Sequence, residues 1–202
     1  MAAEKKPAAE SKAESVFLQD DFSAQKPEVW KSLGGTWVYE ANKLVEKDVT
    51  SFATLVTQEN HPRDFTLHLR YRPLEPGTYR SIGFSFDFLD KGNSQDVYTS
   101  TGDASQTVQA FHRTGGSQVY PPEATVKTPL KVGEEATLDV SVLGSNLTID
   151  LNGQRKLEYV LPIERRDGKF ALWVHQGSAE FLELRITAQT ETLETMQQRL
   201  RQ

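Results

Sequence analysis

The chain has 202 residues, 37% of them hydrophobic and 25% charged, which predicts one domain with a substantial core and short tails. A formal net charge of −5 and the lack of any run of Lys and Arg exclude a basic face for a phosphate backbone, so we expect no nucleic-acid partner. The absence of cysteine excludes disulfides and thiolate metal sites, and no apolar stretch approaches the roughly 18 residues of a membrane-spanning helix.

The first 15 residues contain only Ala, Lys, Glu, Ser and one Pro after the initial Met. They cannot bury enough apolar area to offset the entropy of ordering, so residues 1–15 are predicted to form a disordered leader. The stretch also lacks the apolar core of a signal peptide. We expect a periplasmic or extracellular protein whose signal lies outside this sequence, with a cytoplasmic location as the open alternative.

From Val16 onward the hydrophobic pattern has a period of two, which is typical of half-buried antiparallel strands. In SIGFSFDF, residues 81–88, the even-numbered side chains are predicted to face the core, which leaves Ser85 and Asp87 on the polar side. Tight turns are indicated by GSN at 144–146, NG at 152–153 and QGS at 176–178. Many short strands without a helical segment between them predict an all-β antiparallel sandwich of jelly-roll type over residues 16–187.

The last stretch, residues 188–202, changes to a helical pattern. Its apolar residues Leu193, Met196 and Leu200 recur at helical spacing among Glu and Arg. We predict a short C-terminal helix that either packs on the sandwich or offers a surface for a protein partner.

Several motifs carry a family resemblance. Phe22 follows Asp20 and Asp21, Trp30 follows, and Gly34-Gly35 precede Trp37. Further along, LTIDLNGQRK has the form of a late hairpin, and GKFALWVHQGSAEFLELRI, residues 168–186, has the form of a closing one. Together these stretches resemble the concanavalin A-like lectin/glucanase superfamily, and the last resembles the 3-keto-disaccharide hydrolase-like (LamG-type) domains. The resemblance implies a concanavalin A-like jelly roll and a function related to carbohydrates.

The closing stretch also contains aromatic residues away from the predicted core side. The even-numbered residues 170–174 face the core, so Trp173 and His175 project from the other face, and continued alternation places Phe181 beside Trp173. Paired exposed aromatics need either a cover or a ligand. The C-terminal helix, through Leu193 and Met196, or the N-terminal segment is one expected cover, and a ligand platform is the alternative. His175 is predicted to stabilise the adjacent turn.

Other polar and aromatic residues on strands in the middle of the chain are predicted to form a sugar-binding groove together with Trp173. Aromatic rings bind the apolar face of a pyranose, and charged side chains bind its hydroxyls. The candidate ligand-binding residues are Tyr79, Asp87, Asp96, Tyr98, His112, Arg113 and Trp173. Calcium bound through Asp21 is a further expectation, and no other cofactor is predicted.

The sequence excludes one enzymatic mechanism and leaves three functions open. A retaining glucanase needs two carboxylates on one face, whereas Glu180 and Glu183, three residues apart on a strand, are predicted to point to opposite faces. The mechanism is thereby excluded unless carboxylates from separate strands converge. The preferred function is noncatalytic carbohydrate recognition by a module of an exported bacterial protein. The resemblance implies an alternative, cleavage of 3-keto-glycosides, for which Asp87, Asp96 and His112 are the candidate bases. A structural spacer is the third.

Overall fold

The computed structural model describes residues 15–102 and 105–189, which form two eight-stranded sheets. Sheet A consists of β1 (Ser15–Asp20), β3 (Trp37–Glu40), β4 (Lys43–Glu46), β6 (Phe65–Leu74), β12 (Ala136–Leu143), β13 (Asn146–Leu151), β14 (Gln154–Val160) and β16 (Ser178–Ala188). Sheet B consists of β2 (Trp30–Ser32), β5 (Ala53–Asn60), β7 (Ser81–Asp90), β8 (Asn93–Gly102), β9 (Ser105–Thr114), β10 (Ser117–Val119), β11 (Thr125–Lys127) and β15 (Lys169–His175).

The strand pairings are antiparallel throughout these residues. Sheet A has the order β14-β13-β12-β6-β16-β4-β3, with β1 also paired to β16. Sheet B has the order β10-β9-β8-β7-β15-β5-β2, with β11 paired to β9. The predicted all-β antiparallel sandwich is therefore confirmed.

The C-terminal helix is the part of the fold prediction that finds no support. In the described residues the only helix is the three-residue 3-10 turn Pro122–Ala124, and β16 continues as strand to Ala188. The rest of the helix prediction, including Leu193, Met196 and Leu200, lies outside the described residues, as does the leader up to residue 14. Over 15–102 and 105–189, no helix is long and apolar enough to cross a bilayer.

One hydrophobic core fills the space between the two sheets. Leu67 and Leu69 of β6 belong to the same buried cluster as Phe84 of β7 and Leu172 of β15. Along β6 and β7 the core side chains alternate with polar residues or glycine, and along β15 Leu172 alternates with Ala171 and Trp173, so each sheet presents one face to the core and the other outward. The predicted core side of β7 and β15 is therefore correct as far as Phe86 and Val174.

The predicted turns occur where expected, but one of them joins the two sheets. Asn152 and Gly153 have φ values of 51° and 76° between β13 and β14, as a type I′ hairpin turn requires. At Gln176 (φ 50°) the chain also turns sharply, but it leaves β15 in sheet B and enters β16 in sheet A. The closing stretch is therefore a connection between sheets and not a hairpin within one.

An irregularity at Asp87 reverses the alternation of β7. Asp87 has a φ of 49°, and the register of β7 with β8 shifts between Phe86 and Asp90. Beyond it, Phe88 packs with Val56 and Ala171 in a small cluster on the outer face of sheet B. The prediction that Asp87 lies beside Ser85 on that outer face is therefore wrong.

A second register shift, between Phe181 and Glu183, corrects two predictions for β16. Phe181 is fully buried in the core, 6.3 Å from the ring of Phe22, and so does not lie beside Trp173. Glu180 forms ion pairs with Lys43 and Arg72, and Glu183 forms one with Arg70. The two glutamates therefore lie on the same outer face of sheet A, where they are engaged by basic side chains.

Candidate functional site

The outer face of sheet B contains a cavity of about 270 Å³, which we call the face pocket. Three central strands and β9 contribute its floor, and three loops contribute its walls. The lining residues are Phe52, Tyr79, Ser81, Tyr98, Ser100, Ser105, Phe111, Tyr120, Trp173 and His175. Its volume is close to the lower end of the range of roughly 300–1,000 Å³ for small-molecule sites.

Trp173 forms the floor of the face pocket and is only 1% exposed. Trp173 pairs in register with Gly83 of β7, and its indole lies over that glycine. A Cβ added at Gly83 would come within 2.6 Å of Cζ2 of Trp173. Phe52 and Tyr98 pack against the ring, with centroids 5.0 and 5.7 Å away. Trp173 is therefore covered by neighbouring residues of the described chain and presents little surface to the pocket.

Beside Trp173, on the same outer face of sheet B, Asp96 gathers four donors. Its Oδ1 accepts hydrogen bonds from Ser85 Oγ at 2.6 Å and Trp173 Nε1 at 3.1 Å. Arg113 Nη2 donates to the same oxygen at 3.0 Å, and Ser94 Oγ donates to Oδ2 at 2.7 Å. Burial raises the pKa of Asp96, and these four partners oppose that shift. The Asp96 carboxylate thus binds residues in and around the floor, and Asp96 is not among the residues that line the pocket.

Arg113 is the cation of this buried group. Its guanidinium carbon lies 4.2 Å from the ring centroid of Phe52 and 5.7 Å from that of Trp173. The side chain is 3% exposed and is neutralised by Asp96. Cation–π contacts of this kind stabilise a desolvated guanidinium. The pair therefore stiffens the floor and contributes little net charge to a ligand.

Two partly exposed tyrosines form the walls. Tyr79 is 49% exposed and stacks on His175, with centroids 5.9 Å apart and an interplanar angle of 20°. Tyr120 is 43% exposed and stacks on Phe111 at 4.6 Å, also at 20°. Each tyrosine thus has one ring face supported by another ring and its remaining surface available. The hydroxyls of Ser81, Ser100 and Ser105 complete the lining.

His175 introduces a titratable nitrogen into the wall. Burial, followed by the nearby charge of Arg113, lowers the pKa of His175, so the imidazole is neutral at pH 7. Its Nδ1 is buried without a hydrogen-bond partner among the described residues. A neutral imidazole carries one nitrogen that can accept a proton.

The structure brings together five of the seven predicted ligand-binding residues. Tyr79, Tyr98 and Trp173 line the face pocket, and Asp96 and Arg113 are buried beside its floor, where Asp96 is hydrogen-bonded to Trp173. Their contact with a ligand remains a prediction.

Asp87 and His112 lie elsewhere. His112 follows Phe111 in β9 and therefore projects from the opposite face of the sheet. Asp87 joins a buried cluster with His61 and Arg165 at one end of the core. Of the three candidate bases, Asp87 and His112 are thus away from the face pocket, and Asp96 is buried beside its floor.

Sequence reasoning missed Phe52, Phe111 and Tyr120 as wall residues and gave His175 only a turn-stabilising role. Phe52 and Tyr120 lie in loops before β5 and after β10, so strand alternation says nothing about where they point. Phe111 and Arg113 are two residues apart on β9, so strand alternation indicates that both side chains lie on the same face of the sheet.

The predicted calcium site at Asp21 gains no support. Asp21 Oδ1 accepts hydrogen bonds from the backbone N–H and hydroxyl of Ser23, while Asp20 is buried and bound by Trp30 and Lys26. Within 15–102 and 105–189, no group of three or more His, Asp or Glu side chains is placed to hold a metal ion.

Comparison with known proteins gives a family match and a set of similar folds. A family model described as "3-keto-alpha-glucoside-1,2-lyase-like domain" matches residues 18–187. A search of the curated proteins finds no match.

Among solved structures, the carbohydrate-binding module CBM66 from Bacillus subtilis is similar with a TM-score of 0.71 and 18% identity, covering 79% of this chain and 95% of that one. The Bacillus licheniformis beta-glucanase has a TM-score of 0.67 and 11% identity, covering 87% and 99%. The VIP36 exoplasmic/lumenal domain, in a Ca²⁺/Man3GlcNAc-bound form, has a TM-score of 0.66 and 9% identity, covering 90% and 94%. At these identities the likeness shows the shared sandwich fold alone.

Proposed function

Because the chain belongs to the family of 3-keto-alpha-glucoside-1,2-lyase-like domains, in the concanavalin A-like lectin/glucanase superfamily, we propose that its face pocket binds a small carbohydrate without cleaving it. The observation that carries this proposal is the pair of supported, partly exposed rings of Tyr79 and Tyr120 around the Trp173 floor.

The chemistry of the lining fits a sugar ring. The C–H face of a pyranose packs on an aromatic ring, and its hydroxyls exchange hydrogen bonds with serine and tyrosine hydroxyls. Because Tyr79 and Tyr120 are already stacked on His175 and Phe111, little side-chain entropy is lost on binding. The volume of about 270 Å³ favours one sugar unit over a chain of several.

The similar structures support this class of ligand. By name, one of them is a carbohydrate-binding module, one is a glucanase and one is bound to Man3GlcNAc. These names describe proteins of the same fold, so carbohydrates are the first class of ligand to test. Export of the protein remains part of the proposal.

Calorimetric titration with a panel of mono- and disaccharides, including 3-keto-glucosides, tests the proposal. We expect saturable binding that Tyr120→Ala weakens by about tenfold, roughly 1.4 kcal/mol, because a stacking surface is lost. Val119→Ala is the matched control. Val119 is also 43% exposed, but its register partner is His112, which projects from the face of sheet B opposite the pocket. Equal affinity in the two variants, or no binding by the wild type, would contradict the proposal.

A second candidate function is cleavage of 3-keto-glycosides, and His175 is the observation that favours it. A ketone at C3 acidifies the C–H at C2, and a neutral imidazole in the pocket wall can accept that proton. The electron pair then forms the C1–C2 double bond as the bond from C1 to the glycosidic oxygen breaks, and the departing oxygen takes up a proton.

The product of this elimination is a conjugated enone, which gains ultraviolet absorbance. Catalysis is expected to raise that absorbance with a 3-keto-α-glucoside, and His175→Gln is expected to abolish the rise while His112→Gln retains it. Binding of the 3-keto-glucoside without any absorbance change would leave the noncatalytic function as the one supported.

A further inference from the structure

A second cavity, of about 350 Å³, lies at the edge of the sandwich, where β3 ends sheet A and β2 ends sheet B. We call it the edge pocket. Its lining residues are Gln25, Lys26, Pro27, Trp30, Ser32, Gly35, Thr36, Trp37, Tyr39 and Leu55. None of these residues lines the face pocket, so the two cavities are separate in the described part of the chain.

Two tryptophans are held firmly in the edge pocket. The indole nitrogen of Trp30 donates to Asp20 Oδ2 at 2.8 Å, and that of Trp37 donates to the carbonyl of Gly34 at 2.9 Å. Behind them, Trp30 packs against Phe170 and Trp37 packs against Phe181, both in the core. Because both N–H groups already have acceptors, ring carbon is what an occupant would contact. Trp30 is only 5% exposed, so most of that surface belongs to the partly buried Trp37.

The polar groups around these rings are an amide, hydroxyls and one paired cation, and two carboxylates lie behind Thr36. The backbone N–H of Thr36 donates to Glu46 Oε1 at 3.1 Å, and its hydroxyl donates to Asp48 Oδ2 at 2.7 Å. Lys26 Nζ lies 3.0 Å from Asp20 Oδ1, so this cation and this anion neutralise each other. Burial, followed by the charge of Asp20, raises the pKa of Tyr39 to about 12, which keeps its hydroxyl protonated. Ser32 and Thr36 are exposed at the rim. The pocket therefore combines fixed aromatic surface with hydrogen-bonding groups, and its cation, Lys26, is already paired with a carboxylate.

From this arrangement we propose that the edge pocket is a second binding site, for an uncharged sugar unit. Aromatic carbon surface binds the C–H face of a pyranose, and the amide, hydroxyl and ammonium groups bind its hydroxyls. A charged ligand would leave its charge unmatched beside the neutralised Lys26–Asp20 pair. The proposal is independent of the ligand of the face pocket, and it makes the chain capable of holding two sugar units at once.

The position of the three tryptophans provides a direct test. The chain contains only Trp30, Trp37 and Trp173. In Trp173→Phe, the remaining indoles both lie in the edge pocket, so tryptophan emission reports that pocket alone. The probes are the methyl glycosides of glucose, galactose and mannose, titrated up to millimolar concentration. We expect at least one of them to give a saturable change in emission.

Two further substitutions in the Trp173→Phe background locate the response. Tyr39→Ala removes a lining ring, and Ser32→Tyr fills the pocket from an exposed edge position and leaves the core intact. Both are expected to weaken the response by at least tenfold, while Tyr120→Ala in the face pocket leaves it unchanged. Ser32→Tyr keeps the test decisive if Tyr39→Ala does not fold, and circular dichroism identifies that case.

Three outcomes would overturn the edge-pocket proposal. They are no saturable emission change with any of the three glycosides, a change that Ser32→Tyr leaves intact, and a change that Tyr120→Ala removes. Calorimetry on the chain that retains Trp173, with and without Tyr120→Ala or Ser32→Tyr, separates this failure from failure of the proposed function. Binding that depends on Tyr120 and not on Ser32 retains the face pocket and rejects the edge pocket.

Discussion

At the scale of single residues, Asp87 closes one end of the sandwich. Arg165 Nε and Nη2 donate to its two oxygens at 2.7 and 3.1 Å, and Gln95 Nε2 donates at 2.8 Å. His61 Nε2 accepts the backbone N–H of Asp87 at 2.8 Å. Burial alone would raise the pKa of Asp87, but the contacts with His61 and Arg165 outweigh it and lower that pKa to about 2. The carboxylate therefore stabilises the folded chain in its ionised form.

The first prediction is that Asp87→Asn lowers the free energy of unfolding at pH 7 by roughly 3 kcal/mol, because Arg165 is left buried without its counter-charge. The folded-state pKa lies below the unfolded value of about 4, so the contribution is present above pH 4 and is lost as pH falls towards 2. Urea unfolding between pH 2 and 7 should therefore show the difference between wild type and variant shrinking in that window.

Asp139→Asn is the matched control for this charge effect. Asp139 pairs with His68 at 2.6 Å on the outer face of sheet A, where both side chains are well exposed. Exposed pairs contribute about 0–1 kcal/mol, so this variant should change stability little. An Asp87→Asn chain as stable as Asp139→Asn would show that the buried cluster does not hold the end of the core.

At the scale of elements, strand β7 is shaped to carry Trp173 of the neighbouring β15. A Cβ at Gly83 would lie 2.5 Å from the carbonyl of Val97 as well as 2.6 Å from Trp173. Both contacts are shorter than van der Waals packing allows, so a side chain here must displace the indole or the strand.

The second prediction is therefore that Gly83→Ala destabilises the chain by about 2 kcal/mol and weakens sugar binding in the face pocket. Chemical denaturation and calorimetric titration measure the two effects. Gly144→Ala is the control, because a Cβ there meets nothing within 4 Å and carries only the cost of a φ of 56°. Binding by Gly83→Ala equal to that of Gly144→Ala would mean that the floor position of Trp173 does not matter to the ligand.

The same elements show how far the sequence predicts the structure. Strand alternation gave the correct core side of β7 and β15, and Asn-Gly gave the β13–β14 turn. Alternation gives phase only while a strand is regular. It therefore failed from Asp87 onward in β7 and at Phe181 in β16, just before the register shift that restores the predicted inward side of Leu184 and Ile186. Neither position carries a glycine to mark the irregularity, although Asp is among the residues that tolerate positive φ.

The site was predictable for the residues that lie on strands and unpredictable for those that reach it from loops. Tyr98 and Trp173 share a face through the alternation of β8 and β15, and that face became the floor. Phe52 and Tyr120 come from segments far apart in sequence, and only the packing of the whole sandwich brings them together. The choice of sheet at Gln176 is also a property of tertiary packing, because a turn signal does not specify which sheet receives the next strand.

At the scale of the whole molecule, the two sheets depend on each other for burial. The inner faces of both belong to one hydrophobic cluster that extends from Trp30 of β2 to Ile186 of β16. Each sheet alone would expose this surface to water, at a cost of about 25 cal/mol for every Å². Neither sheet is therefore expected to persist without the other.

The third prediction is that the sandwich unfolds as one cooperative unit, and the tryptophans make it testable sheet by sheet. Trp37 lies in sheet A, and Trp30 and Trp173 lie in sheet B. In the double variant Trp30→Phe/Trp173→Phe, emission reports sheet A, whereas Trp37→Phe reports sheet B. Each variant should show a fluorescence transition in urea that coincides with its own far-ultraviolet circular dichroism transition, as two-state unfolding requires. If Trp37 emission changed at lower urea together with only part of the circular dichroism signal, sheet A would be unfolding first, and the shared core would not make the two sheets one cooperative unit.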